Sequence, residues 1–344
     1  MINLLSDTVT EPTPAMRQAM ANAAVGDDVT LEDPTVNQLQ AMAAKMMGKE
    51  AGLFVPSGTM GNLLALMVHC RRGDEMILGN NMHTFLYEGG GSAVLGSVHS
   101  NTVPTQPDGT LRLEDIRAAI RDESDVHCPV SRLIVLENTH NRCAGVSLSA
   151  AYTREVAQIA AANHLKLHID GARIFNAAID QGCDVRELTD PADSITFCLS
   201  KGLCAPVGSV LCGTEAFIEQ ARRIRKMLGG GMRQVGILAA AGIVALDSMV
   251  DRLAEDHRRA QYLAEAIRGM QSEIIASVDQ HTNMIYLQLN GNARMTSADL
   301  VDKMYKAGVR FAAIDGYSVR LVTHYWIDDD AIEQTIQKFR QVLK

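Results

Sequence analysis

Two short apolar runs that each end in charge constrain this chain more than any other feature. Ser194-Ile195-Thr196-Phe197-Cys198-Leu199 reads as a buried strand, and Ser200-Lys201-Gly202 follows it directly. Leu165-Lys166-Leu167-His168-Ile169 reads the same way and runs into Asp170-Gly171-Ala172-Arg173. Asp170 lies 31 residues before Lys201, which leaves room for one crossover helix between neighbouring parallel strands. Such a crossover brings the carboxylate and the amine to the same sheet edge, where open α/β sheets build their sites.

A lysine ending a buried strand is costly unless it has a use, because an ammonium resists desolvation. Taken by itself, Lys201 reads as a side chain that escapes to solvent. With Asp170 beside it, the pair matches what pyridoxal 5'-phosphate (PLP) requires: a lysine that forms a Schiff base with the aldehyde and a carboxylate that keeps the ring nitrogen protonated.

Composition narrows the alternatives. The 344 residues suffice for one large domain and a smaller one, and 47% are apolar. The net charge of −8 argues against nucleic acid or an anionic membrane as a main partner. Seven scattered cysteines without a CxxC pair read as reduced thiols, and the N-terminus reads as lacking a signal peptide, so the expected location is cytoplasmic. No apolar segment is long enough to span a bilayer.

Residues 1–19 read as an irregular N-terminal arm, broken by Pro12 and Pro14, that can fold over a site through Ser6, Asp7, Thr8 and Thr10. Asp27, Asp28, Glu32 and Asp33 crowd together, but Asp33 reads as an N-cap before Pro34, and nothing supports a metal. Ser57, Gly58 and Thr59 stand between a strand and an apolar helix, a cradle for an anion. His83 follows a strand end and can stack on a ring or accept a proton. His127 precedes the 132–136 strand, which ends in Glu137-Asn138-Thr139-His140-Asn141, a further candidate. The basic run 222–226 reads as a solvated helix face, with Lys226 or Arg233 able to reach a phosphate, across a subunit interface if need be. One long helical region is expected over 235–269. A β-α-β-α tail follows, carrying Arg320, a residue suited to gripping a carboxylate. The expected division is 20–248 for a large domain and 249–344 for a small C-terminal α/β domain.

As an ordered set, the segments Ser6-Asp7-Thr8-Val9-Thr10, Val25-Gly26-Asp27-Asp28-Val29, Ser57-Gly58-Thr59, Glu137 to Asn141, Asp170 to Arg173, Leu199 to Leu203, Gly229 to Gln234 and Arg320 to His324 resemble the low-specificity L-threonine aldolases. The resemblance implies the aspartate-aminotransferase-like, fold-type I PLP architecture: a large domain with a mainly parallel sheet plus a small C-terminal domain. It implies Lys201 as the Schiff-base lysine and Asp170 at the pyridine nitrogen. Arg173 would sit near the phenolic oxygen and the substrate carboxylate, and Ser57, Gly58 and Thr59 at the phosphate, with Arg233 arriving from a neighbouring subunit. His83 would stack on the ring, His83 and His127 would flank the β-hydroxyl, and Ser6 and Arg320 would hold the carboxylate. A homotetramer is the family's usual assembly.

In one place the chain departs from the resemblance. The family commonly has Tyr-Gly where this chain has Thr30-Leu31, at the active-site mouth and supplied by a partner subunit. Thr30 therefore joins the candidate substrate contacts. The expected reaction is retro-aldol cleavage of an L-3-hydroxy-α-amino acid. β-Elimination, racemisation or transaldol chemistry on the same scaffold is the alternative, and a non-catalytic PLP carrier is a third reading.

Overall fold

The computed structural model describes residues 1–292 and 295–343. Its strands are β1 (Ile2–Asn3), β2 (Ala51–Val55), β3 (Glu75–Gly79), β4 (His99–Val103), β5 (Ser131–Glu137), β6 (Lys166–Asp170), β7 (Ser194–Cys198), β8 (Ser209–Gly213), β9 (Ile275–His281), β10 (Met284–Leu289), β11 (Val309–Arg310), β12 (Ala312–Ala313) and β13 (Ser318–Val322). Seven of them form one sheet in the order β2-β8-β7-β6-β5-β3-β4. Every neighbouring pair from β4 to β7 is parallel, and β8 alone runs against the rest. β3 and β7 are buried at every position, which is why they read as continuous apolar runs rather than alternating ones.

The register puts Glu137 of β5 opposite Asp170 of β6, and Asp170 opposite Thr196 of β7. The C-terminal ends of three adjacent strands therefore share one edge, and the Lys201 loop emerges there. The crossover between β6 and β7 holds two short helices, Ile174–Gln181 and Val185–Thr189, where the spacing predicted one. Gly182 ends the first in a left-handed conformation at φ 62°, and Asp184 caps the second with a capping box.

Helix Gly58–His69 packs across β7. A Cβ at Gly61 would lie 2.5 Å from Thr196 Cγ2, so only glycine lets the helix come this close to the strand. Gly61→Ala is expected to lower unfolding free energy by about 1–3 kcal/mol through overpacking. Urea denaturation checks this; an unchanged midpoint would mean that the helix can lift away freely.

The second sheet, β12-β13-β10-β9, is antiparallel and has its own core, which includes Leu4, Leu287, Leu321 and Phe339. The N-terminal segment is not an irregular arm. β1 pairs with β11, Leu4 is buried in the C-terminal core, and Pro14–Ala21 is a helix with Thr13 as its cap. Pro14 stands at the first turn, where its missing N–H has no partner to lose. The expected long helix over 235–269 is two helices, Gly236–Ser248 and Leu253–Arg268. The break falls where an almost wholly apolar stretch gives way to an amphipathic one, so the two stretches need different packing faces.

Candidate active site

The edge shared by β5, β6 and β7 opens into a cavity of about 340 Å³ whose lining includes Lys201, Asp170, His83, Glu88, Ser57 and Gly58. Lys201 is half-buried and its backbone is fixed. Its carbonyl accepts from Thr10 Oγ1 at 2.8 Å and from the Cys204 N–H at 2.9 Å. Asp170 is buried, receiving Thr84 Oγ1 at 3.3 Å and the Ala172 N–H at 3.3 Å.

Ser57, Gly58 and Thr59 stand at a helix N-terminus on the cavity wall. Ser57 caps helix Gly58–His69 by accepting the Met60 N–H at 3.2 Å. The N–H groups of Gly58 and Thr59 belong to the first turn, which has no intrahelical acceptor. A Cβ at Gly58 would stand 3.0 Å from Cys198 Sγ and 3.6 Å from Ser209 Oγ. That Ser209 hydroxyl is buried without a hydrogen-bond partner among the described residues, beside the helix terminus.

The opposite wall is acidic. One donor atom each from His83, Glu88 and Asp170 lies within 4.8 Å of the others. Glu137, buried next to Asp170, is pushed up to about 7, first by burial and then by the Asp170 charge, against the pull of the Asn141 and His83 N–H groups it accepts. Carboxylates this crowded call for a cation between them, and a protonated pyridine nitrogen would supply one. An anion cradle, a carboxylate cluster and a lysine amine lining one cavity fit PLP.

A cluster suited to a carboxylate adjoins the cavity. Arg173 donates Nε to Asp7 Oδ2 at 2.7 Å and Nη2 to Asp7 Oδ1 at 2.6 Å, which leaves Nη1 for a further partner. Burial alone would raise the Asp7 carboxyl. The charge and hydrogen bonds of Arg173, with Lys201 adding, outweigh that and hold it far below the usual carboxylate range. Arg320 donates Nη1 to Asn141 Oδ1 at 3.1 Å and keeps a buried Nε without a partner among the described residues. Tyr286, whose hydroxyl donates to the Asn141 carbonyl at 2.7 Å, feels both guanidiniums. Ser6 is buried nearby, capping the short Asp7–Val9 helix.

Three sequence candidates stand elsewhere. His127 does not flank the reacting centre in its own chain. It sits on the exposed 121–130 loop that enters β5 at Ser131, paired with Asp125 at 2.9 Å. Asp170 lies at the other end of the sheet, roughly 20 Å away along a seven-residue strand. Thr30 closes an exposed turn and Arg233 pairs with Asp27 at 2.6 Å; neither lines the cavity of its own chain. Asp7, Glu88 and Asn62 were not singled out as site residues, although Asp7 stood in the polar N-terminal run and Glu88 five residues beyond His83. Sequence offered no way to rank Asp7 and Asn62, since their partners are 166 and 106 positions away.

Comparison with known proteins follows this geometry. A β-eliminating lyase family model matches residues 3–290. The chain is 48% identical to "Low-specificity L-threonine aldolase 1" of Arabidopsis thaliana, over 99% of this chain and 96% of that protein. It is 45% identical to the low specificity L-threonine aldolase of Escherichia coli K12, over 100% of this chain and 99% of that one.

The chain belongs to the low-specificity L-threonine aldolase family.

A Leishmania major threonine aldolase structure superposes with a TM-score of 0.85 at 18% identity, covering 100% of both chains. A Plasmodium falciparum ornithine δ-aminotransferase does so at 0.72 and 13% identity, covering 96% of this chain and 84% of its own. At such identities the likeness speaks to the fold, the fold-type I architecture expected of a threonine aldolase family member.

Proposed function

We propose that this chain binds PLP at Lys201 and cleaves L-3-hydroxy-α-amino acids, L-threonine and L-allo-threonine or bulkier analogues, to glycine and an aldehyde. The observation that carries this reading is the convergence of Lys201, Asp170 and the Gly58–His69 terminus on one cavity at one sheet edge. PLP, when bound, supplies the electron sink for the carbanion left when the Cα–Cβ bond breaks. The protein does the rest. Lys201 provides the amine for the Schiff base, and Asp170 holds the ring-nitrogen proton. Ser57, Gly58, Thr59 and Ser209 receive the phosphate. Arg320, Ser6 and Nη1 of Arg173 hold the substrate carboxylate, which orients the bond to be broken. His83 takes the β-hydroxyl proton; such help is typically worth ~10²–10⁴-fold.

Thr30 and Arg233 act from a neighbouring subunit in a homotetramer. Supporting this, both lie outside their own cavity, and exposed apolar Val25, Leu31, Met227 and Ile237 surround them in sequence. His127, unable to reach its own centre, has a part only if another subunit delivers it. No helix among the described residues is long and apolar enough to cross a membrane, and a cytoplasmic site of action accords with that.

Incubating the purified PLP-loaded protein with L-threonine and L-allo-threonine tests the reaction. Glycine and acetaldehyde in equal amounts are expected. 2-Oxobutyrate and ammonia would replace the retro-aldol reading with β-elimination.

A further inference from the structure

A buried line of hydrogen bonds starts at His83 and crosses the face of the sheet. His83 Nδ1 lies 3.0 Å from Glu88 Oε1, and Asn62 Nδ2 donates to the same oxygen at 2.8 Å. The Asn62 Oδ1 lies 3.2 Å from His168 Nε2, His168 Nδ1 lies 2.8 Å from Ser194 Oγ, and that oxygen lies 2.7 Å from His69 Nε2. His69 stacks on Phe217 with centroids 4.6 Å apart.

Donor and acceptor chemistry assigns each proton in this line. The reversed Asn62 amide would set a carbonyl oxygen against the Glu88 carboxylate, so Nδ2 faces Glu88 and Oδ1 faces His168. Oδ1 can only accept, so His168 carries its proton on Nε2. Burial holds His168 down to about 3, so its ring is neutral and Nδ1 has a lone pair. Ser194 donates to that lone pair and accepts from His69, which burial also keeps neutral, down to about 4. The line runs one way and ends on Glu88 as an acceptor. Burial and the Asp170 charge raise the Glu88 carboxyl, and its hydrogen bonds with His83 and Asn62 lower it; as a carboxylate it accepts from both, so His83 Nδ1 donates. No hydrogen bond among the described residues engages His83 Nε2.

We propose that Glu88 is a positioning residue: it holds the His83 proton on Nδ1, so that Nε2 is the atom that takes the substrate hydroxyl proton, and the Asn62–His168–Ser194–His69 line holds Glu88 in its accepting orientation. This rests on His83 as the proton acceptor. Glu88, Asp170 and Lys201 are the charged groups that face the His83 ring; the Tyr87 ring lies 5.6 Å away, and Glu137 holds the His83 backbone N–H. The hydrogen bond that His83 donates to Glu88 raises the proton affinity of His83 most, and Asp170 adds to it. Burial and Lys201 oppose.

The test uses diethyl pyrocarbonate, which acylates only unprotonated imidazole. The rate of His83 modification is followed against pH by peptide mass spectrometry, with PLP removed and with PLP bound, in wild type and Glu88→Gln. The glutamine Oε1 can still accept from both neighbours, but the charge is gone. The expected midpoint for wild-type His83 lies above the ordinary 6.5. In Glu88→Gln it falls by about 1 unit or more, and the acid limb of kcat/KM moves the same way. Glu88→Ala, which loses the orientation too, is expected to reduce kcat by about 10²-fold with KM little changed. An unmoved midpoint in Glu88→Gln overturns the role of Glu88. If that variant does not fold, a wild-type midpoint at or below the ordinary value overturns it equally. Normal turnover by His83→Asn would instead overturn the base reading, whatever the midpoint.

Discussion

Lys201→Ala is expected to abolish turnover and the visible absorbance of bound PLP together. Among the described residues, the substitution removes the only lysine that lines the cavity shared by Gly58 and Asp170. Nothing else there can take over its bond: Thr8 and Thr10 offer hydroxyls, and the Cys198 thiol lies against the helix terminus. The effect should exceed about 10³-fold, since general acid–base assistance by itself is worth ~10²–10⁴-fold and the covalent link is lost as well. Folding should be little affected, because the Thr10 and Cys204 contacts are made by the Lys201 carbonyl, which alanine retains. Near-normal cleavage by a folded Lys201→Ala protein would end the PLP reading.

Asp7→Ala carries the largest expected cost in stability. Asp7 and Arg173 are both buried and paired at 2.6 and 2.7 Å, and Asn283 of the C-terminal part adds a contact to Asp7 at 3.3 Å. Removing the carboxylate leaves a guanidinium without its counter-charge, a change that typically costs about 3–5 kcal/mol. Chemical denaturation of the purified variant measures it, and a loss below about 1 kcal/mol would mean that Arg173 finds another partner. The same pair predicts a pH response. The folded Asp7 carboxyl lies below its unfolded value of 3.8, so its contribution is fully present above that pH. It is lost as the pH falls below 3.8 toward the lower folded value. Asp7→Asn, which keeps the shape but not the charge, should flatten that acid limb; an acid limb as steep as wild type would show that other groups produce it.

The parts of the fold and site that were legible are those written in short stretches. The β6 and β7 runs could be read because strands buried on both faces need uninterrupted apolar residues. Asp33 could be read as a helix cap because capping is a contact over two or three positions. Strand β9 was missed: its burial alternates weakly, and its residues 277–281 are mostly polar and exposed. The helical character of 14–21 was missed because Pro14 was read as a breaker and not as a first-turn residue.

His127 shows most directly where sequence stops. A histidine just before a strand and a histidine just after one look equivalent in the chain, but they stand at opposite ends of the sheet. The sequence alone pointed to Lys201, Asp170 and the Ser57–Thr59 turn as residues that neighbouring strands bring together, because each is a local pattern joined by a handed crossover. Only the tertiary structure decided that Asp7 holds Arg173, that Glu137 ties His83 to Asn141, and that Glu88 ends a line reaching from His69. Those assignments depend on which polar groups are buried together, and burial is a property of the packed chain rather than of any stretch of it.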